Sequence, residues 1–264
     1  MSVRALSRSY WLALTIAAAL TALAVTEKAG AQATDQPLLM LDTGGHKGLI
    51  RAVLFTPDGR QLVSAGDDKL IRVWDWQEGK TVRTIRGNVG PVHEGKIFAM
   101  ALSPDGALLA VGGYFHRECR GRCGDIRIYK LATGEMHTLL QGYPGVVYSL
   151  AFSPDGQKLI AGGSDNAAVI WDLPASKMVA RLVGHSGLIW GAAFLPDGER
   201  VVTGSSDGQL RLWRVADGQT IATLVGHKDK VRSVAVSSKG TIASGDTGGE
   251  VRLWDGATGR FLRA

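Results

Sequence analysis

The chain has 264 residues, 45% of them apolar, with 35 Gly, 8 Pro, 2 Cys and a formal net charge of +6. This length supplies a sizeable buried core, and ordinary apolar content with scarce Pro excludes a disordered polymer. Two cysteines exclude a disulfide-dense small scaffold, and the abundant Gly suits a turn-rich all-β chain.

Residues 1–33 carry Arg4 and Arg8, then an apolar run from Trp11 to Val25, then Ala31-Gln32-Ala33. A basic start, a short apolar core and a small-x-small site are the parts of a secretory signal peptide. The run is shorter than the roughly 20 residues that span a bilayer. The expectation is cleavage after Ala33 and export, most simply to a bacterial periplasm, with an uncleaved membrane anchor as the alternative. No Cys follows the run, which argues against a lipoprotein, and the two Arg are not adjacent, which argues against a twin-Arg route. Cleavage removes Arg4, Arg8, Lys28 and Glu27, leaving +4 of the +6. The remainder holds no basic run that would favour nucleic acid.

After a short linker at 34–37 the chain repeats itself to its end. A turn recurs as TPDG at 56–59, SPDG at 103–106 and 153–156, LPDG at 195–198, and SSKG at 237–240. Eleven residues before the Pro, or before Ser238, stand His46, His93, Tyr143, His185 and His227. Downstream come Trp74, Tyr129, Trp171, Trp213 and Trp254, each closing a stretch such as "LIRVWD" or "QLRLWR". The last three copies are 42 residues apart. Within a copy the apolar residues alternate or run in strand-sized lengths between PDG, SDN and SDG turns, which predicts about four short strands and no helix. Such a unit cannot bury both faces alone. It must stack on its neighbours, and radial stacking gives a β-propeller.

On these residues the chain resembles the WD-repeat (WD40) family over positions 38–264. The carriers are Gly45-His46, Gly184-His185 and Gly226-His227, with Trp74-Asp75, Trp171-Asp172 and Trp254-Asp255. The resemblance implies a buried hydrogen-bonded tetrad in each repeat: His46, Ser64, Asp68 and Trp74 in the first, His185, Thr203, Asp207 and Trp213 in the fourth. The third copy has Tyr143 for His and Ala161 for Ser. The fifth has Gly248 where Asp is expected. The second has Val111, no aligned Asp, and Tyr129-Lys130 for Trp-Asp, so its sheet is expected to be the least tightly stapled.

The resemblance also implies a closing N-terminal strand, and residues 38–42 match that strand type. "GRFLRA" at 259–264 matches it once more. The expectation is a piece of a longer propeller, seven-bladed as is usual in the family.

Chemistry-bearing motifs are few. "GSSDG" at 204–208 matches the nucleophile elbow, which needs a helix after it, but a strand pattern follows. Cys119 and Cys123 lie in an eight-residue insertion of the second copy. A local disulfide is the leading reading in an exported chain; free thiols or a metal site with His116 are the alternatives. No catalytic residue, metal or cofactor is expected.

The resemblance implies partner binding where each inner strand begins. The positions there are Leu49 and Arg51, Lys96 and Phe98, Val146 and Tyr148, Leu188 and Trp190, and Lys230 and Arg232. Phe98, Tyr148 and Trp190 hold one equivalent position, with Arg51 and Arg232 in the other two copies; aromatics and Arg are what binding hot spots use. Alternatively the rings only fill space around the central channel. The functional expectation is an exported protein-interaction scaffold for an extended peptide with apolar and acidic groups. The alternatives are the propeller part of a larger exported enzyme, such as a caspase-like cysteine peptidase, and a sensor acting through the Cys loop.

Overall fold

The computed structural model describes residues 45–87, 93–114 and 124–264. The signal segment, the linker, the closing strand at 38–42 and the His116, Cys119 and Cys123 loop lie outside the described residues. Every regular element among the described residues is a strand, and these form five four-stranded antiparallel meanders. The first comprises β1 (Ile50–Phe55), β2 (Gln61–Gly66), β3 (Leu70–Asp75) and β4 (Lys80–Arg86). The second comprises β5 (Lys96–Leu102), β6 (Leu108–Tyr114), β7 (Gly124–Lys130) and β8 (Met136–Tyr143). The third comprises β9 (Val147–Phe152), β10 (Lys158–Gly163), β11 (Ala167–Asp172) and β12 (Lys177–Val183). The fourth comprises β13 (Ile189–Phe194), β14 (Arg200–Ser205), β15 (Leu210–Arg214) and β16 (Thr220–Leu224). The fifth comprises β17 (Val231–Val236), β18 (Thr241–Asp246), β19 (Val251–Asp255) and β20 (Phe261–Arg263). The all-β class and the four-strand unit are those the repeat predicts.

The first strands of successive sheets lie side by side, β1 by β5, β5 by β9, β9 by β13 and β13 by β17. The period of two then decides what each residue touches. In β10, Leu159 and Ala161 enter the core shared with the second sheet, whereas Ile160 enters the core shared with the fourth. In β11, Val169 and Trp171 point back while Ala168 and Ile170 point forward. Alternate residues therefore serve different neighbours, and the four cores are all inter-sheet. Each Leu or Ile so buried contributes about 1.5–3 kcal/mol relative to exposure. A sheet without its neighbour loses one whole set.

That loss is visible on the first sheet. Trp171, Trp213 and Trp254 are buried against the preceding sheet. Trp74 is only partly buried, and on its face Phe55 is 60% exposed and Val53 46%. Phe55, Leu62 and Trp74 are cross-strand partners, so they share that face.

The turns also meet one another. Thr56, Ser103 and Ser153 each donate a hydroxyl hydrogen bond to the Asp two residues on, which closes the PDG turn. A Cβ added to Gly106 would lie 2.9 Å from Pro57 Cδ of the preceding sheet's turn. Likewise Gly156 faces Pro104 at 3.5 Å and Gly198 faces Pro154 at 3.7 Å. The series stops at Gly240, whose Cβ would meet nothing within 4 Å. There a cleft lined by Pro196, Lys239 and Gly240 separates the turns. It is bridged by Arg200, whose Nη1 donates to the carbonyls of Gly256 and Ala257 at 2.7 and 3.2 Å.

Candidate functional site

Five hairpins repeat one backbone irregularity. Pairing of β1 with β2 runs Ile50↔Gly66 and then Ala52↔Ala65, so Arg51 is left without a partner. The same skip isolates Phe98 in β5, Tyr148 in β9, Trp190 in β13 and Arg232 in β17. Each is a β-bulge, the device by which a strand re-aims one side chain. Opposite the bulge the strands nearly touch. A Cβ on Gly66, Gly113 or Gly163 would collide with the carbonyl of Leu49, Lys96 or Val146. In these three sheets the approach is close enough to need glycine, whereas the fourth and fifth carry Ser205 and Asp246 at that position.

The five re-aimed side chains form a continuous series. Arg51 lies over the Phe98 ring at 5.5 Å. The Phe98 and Tyr148 centroids are 5.7 Å apart, and Tyr148 stacks on Trp190 at 4.3 Å with 28° between planes. The Arg232 guanidinium carbon sits 3.8 Å from the Trp190 centroid. Contacts of this kind contribute about 0.5–1.5 kcal/mol each for ring pairs and about 0.5–2 for cation–π pairs. The three rings are partly buried and the two arginines exposed. Leu49 and Lys230 are exposed beside the series, and Lys96 and Leu188 are partly buried.

Charge is distributed unevenly along it. Asp67 accepts two hydrogen bonds from Arg51, at 2.8 and 3.1 Å, and one from Lys96 at 3.1 Å. Arg51 beside Asp67 holds that carboxyl below the usual carboxylate range, against the opposing effect of burial, and Lys96 adds to it. At the other end Arg232 has no carboxylate within ion-pair reach among the described residues. Burial lowers its pKa, and the like charge of Arg51 acts in the same direction. The Trp190 Nε1–H is buried and has no acceptor among the described residues.

Behind the series stand the staples. Trp74 Nε1–H donates to Ser64 Oγ at 2.7 Å, Ser64 donates to His46 Nε2 at 2.7 Å, and His46 Nδ1–H donates to Asp68 at 2.7 Å. Because indole can only donate, Ser64 Oγ is the acceptor from Trp74 and joins the indole to the imidazole. In the fourth sheet the same chain runs Trp213, Thr203, His185, Asp207 with each step at 2.8 Å. Burial holds His185 below its ordinary value despite Asp207.

The fifth sheet corrects the sequence reading. Gly248 replaces the expected Asp, yet the staple is whole: Trp254 donates to Ser244 at 2.9 Å, Ser244 bonds His227 at 2.7 Å, and His227 reaches Asp246 at 2.8 Å. Asp246 stands opposite Val231, at the strand-end position held elsewhere by Gly66 and Ser205. Glu250 lies 4.0 Å from His227 Nδ1, but it pairs with Arg252 at 2.9 Å, so these ligand-type atoms are already engaged with one another. In the third copy Tyr143, the last residue of β8, is buried and donates to the carbonyl of Ala167 at 3.0 Å, while Asp165 pairs with Arg181 instead. In "GSSDG", buried Ser205 donates to the Gly187 carbonyl, and β15 follows where an elbow would need a helix.

The bulges and the Asp246 substitution were missed by sequence reasoning. A signal for the first existed in the glycines at 66, 113 and 163, which recur at the strand end in three copies.

Comparison with known proteins gives the family model "WD domain, G-beta repeat" at residues 37–75, 79–129, 134–172, 176–214 and 218–255. A 66-residue segment is 44% identical to nuclear distribution protein PAC1-1 of Uncinocarpus reesii, covering 25% of this chain and 14% of that protein. WD repeat and SOCS box-containing protein 1 of Danio rerio is 38% identical over 77 residues, 28% of this chain and 17% of that protein. A WD repeat-containing protein of Synechocystis, sll1491, is 33% identical over 69 residues, 26% of this chain and 18% of that protein. The matched segments thus span less than a fifth of each of these relatives.

Proposed function

Since the chain belongs to the WD domain, G-beta repeat family, we propose that it is a protein-interaction scaffold whose binding face is the bulge series from Arg51 to Arg232. The observation that supports this is the fivefold re-aiming of aromatic and arginine side chains to one place. A sheet needs no bulge to bury a ring, and five bulges at one register cost five ladder positions. Large amphipathic rings and arginines bind at low entropic cost, which suits an extended peptide with apolar and acidic groups. The chain's own chemistry is non-catalytic in this reading. Export is part of the proposal, supported by the basic, apolar and small-x-small order of residues 1–33. Among the described residues no helix is long and apolar enough to cross a membrane.

Capture of partners from a periplasmic extract tests the reading. Trp190→Ala combined with Tyr148→Ala is expected to abolish capture while the variant still melts cooperatively. Capture equal to that of the native chain would overturn the binding face.

A further inference from the structure

The two ends of the bulge series carry the same residue type in different states. Arg51 has its fork filled by Asp67, in a bidentate arrangement shared with Lys96. The Arg232 guanidinium carbon sits over the Trp190 ring at 3.8 Å, and no protein acceptor among the described residues takes its N–H donors. Next to it the Trp190 indole N–H is also without an acceptor. The asymmetry has a local cause. Asp67 stands directly before the tetrad Asp68, and the positions equivalent to it are Ser164, Ser206 and Thr247. The fifth sheet therefore supplies no carboxylate at the position that Asp67 holds in the first.

Leaving donors unmet carries a cost. The buried Trp190 N–H without a partner is destabilising by about 1–3 kcal/mol, whereas the exposed Arg232 donors are met by water until an anion replaces it. One ligand chemistry suits the exposed guanidinium: a planar anion that accepts its in-plane bonds, in a series whose other arginine is already paired with Asp67. A guanidinium stacked on a ring keeps its edge free, and this is the geometry of bidentate carboxylate recognition.

We infer that Arg232, seated on Trp190, is the receptor for a carboxylate of the bound peptide, whereas Arg51 is a structural cation satisfied internally. The assignment rests on the scaffold reading above and names where that scaffold reads acidity. The carboxylate can belong to an acidic side chain or to a peptide C-terminus, since both present the same two oxygens.

The test is titration of the full chain with three short synthetic peptides built on one leucine-containing sequence. One carries two Glu and is acetylated and amidated; the second has Gln in their place; the third has the Gln with a free C-terminus. Binding is read by calorimetry and by the indole N–H resonance of Trp190, assigned with Trp190→Phe. A carboxylate peptide is expected to bind about tenfold more tightly than the neutral one, the ratio a single charge-assisted pair supplies. Arg232→Gln should cancel that preference, and Arg232→Lys should retain part of it. Arg51→Gln, whatever its effect on overall affinity, should leave the carboxylate-to-neutral ratio within about twofold, because Asp67 already occupies that fork. The Glu peptide binding more tightly marks side-chain acids, and the free C-terminus doing so marks a chain end; either supports the assignment. Equal binding of all three overturns the carboxylate receptor and leaves the scaffold reading standing. A preference that survives Arg232→Gln overturns the locus. Binding of none overturns the assignment, and the capture experiment then decides the scaffold reading separately.

Discussion

His227 Nδ1 lies 2.8 Å from Asp246 Oδ2, although Asp246 sits at a strand end two residues ahead of the turn position that supplies Asp68 and Asp207 in other sheets. The carboxylate moved and the bond was kept. Asp246→Asn should therefore destabilise the chain by about 1–3 kcal/mol, the cost of leaving a buried imidazole poorly matched. Placing Asp at Gly248 should not help: a Cβ there would lie 2.5 Å from Asp229 Oδ2, and the new charge would face an existing one. Urea midpoints of the two variants decide this. A neutral Asp246→Asn would mean the His227 contact is incidental.

The glycine before each His gives a graded series. An added methyl on Gly226 would collide with Arg252 Nη1 and approach Trp254 at 3.3 Å. On Gly184 it would meet Arg211 and Trp213 at 3.2 Å, and on Gly45 it would meet nothing within 4 Å. Alanine should thus cost most at 226, less at 184 and almost nothing at 45, with the first near the about 1–3 kcal/mol of an overpacked site. Melting temperatures in any other order would show that the arginines yield freely.

Lys69 holds a φ of 66°, in the left-handed region, where the equivalent turn positions carry Asn166, Gly208 and Gly249. An L residue other than Asn or Asp is strained there by about 1–2 kcal/mol, part of which glycine gives back as unfolded-state entropy. Lys69→Gly is expected to stabilise by about 0.5–1 kcal/mol. Chemical denaturation measures it, and a destabilised variant would mean that the Lys69 side chain contributes more than its backbone costs.

Stability should fall on mild acidification. Burial holds the folded His185 below its ordinary value of 6.5, so the unfolded chain takes up the proton first. Its contribution is then complete above pH 6.5 and is lost as pH falls toward the depressed folded value. Asp207 behaves separately: burial raises its pKa, but His185 and the backbone N–H groups of Gln209 and Ser186 outweigh that and hold it below 3.8, so its share is lost only in stronger acid. The melting temperature is expected to drop between pH 7.5 and 5.5, and His185→Asn should flatten that slope on a lower baseline. A melting temperature that rises toward pH 5.5 would contradict this sign.

What could be read from the sequence followed from side-chain spacing. The interval from His46, His93, Tyr143, His185 or His227 to the turn is the same in all five copies, and with a closing aromatic downstream it defines the repeating unit without any knowledge of contacts. The bulges are a different kind of fact. Whether Phe98 or Trp190 is paired depends on a one-residue slip between backbones, and either register leaves the same letters in the same order. Nor could spacing say that Tyr148 and Trp190 stack at 4.3 Å, since that distance is set by how closely successive sheets approach. Asp246 escaped for a third reason: alignment seeks a residue at its expected position, whereas a hydrogen bond requires only that an oxygen arrive.

The facing of three turn prolines by the Gly of the following turn has a consequence for how such a chain can change. Pro57 meets Gly106, Pro104 meets Gly156 and Pro154 meets Gly198, so one four-letter motif provides both halves of a joint. A whole unit duplicated or removed in the gene still presents a Pro forward and a Gly backward, and its neighbours find the partner they had before. Point changes lack that protection, because losing either half opens a joint on one side only. The motif therefore lets the array grow or shrink by complete units more readily than it tolerates wear within one. Between the fourth and fifth copies both halves, Pro196 and Gly240, are present, yet the cleft beside Gly240 keeps them apart.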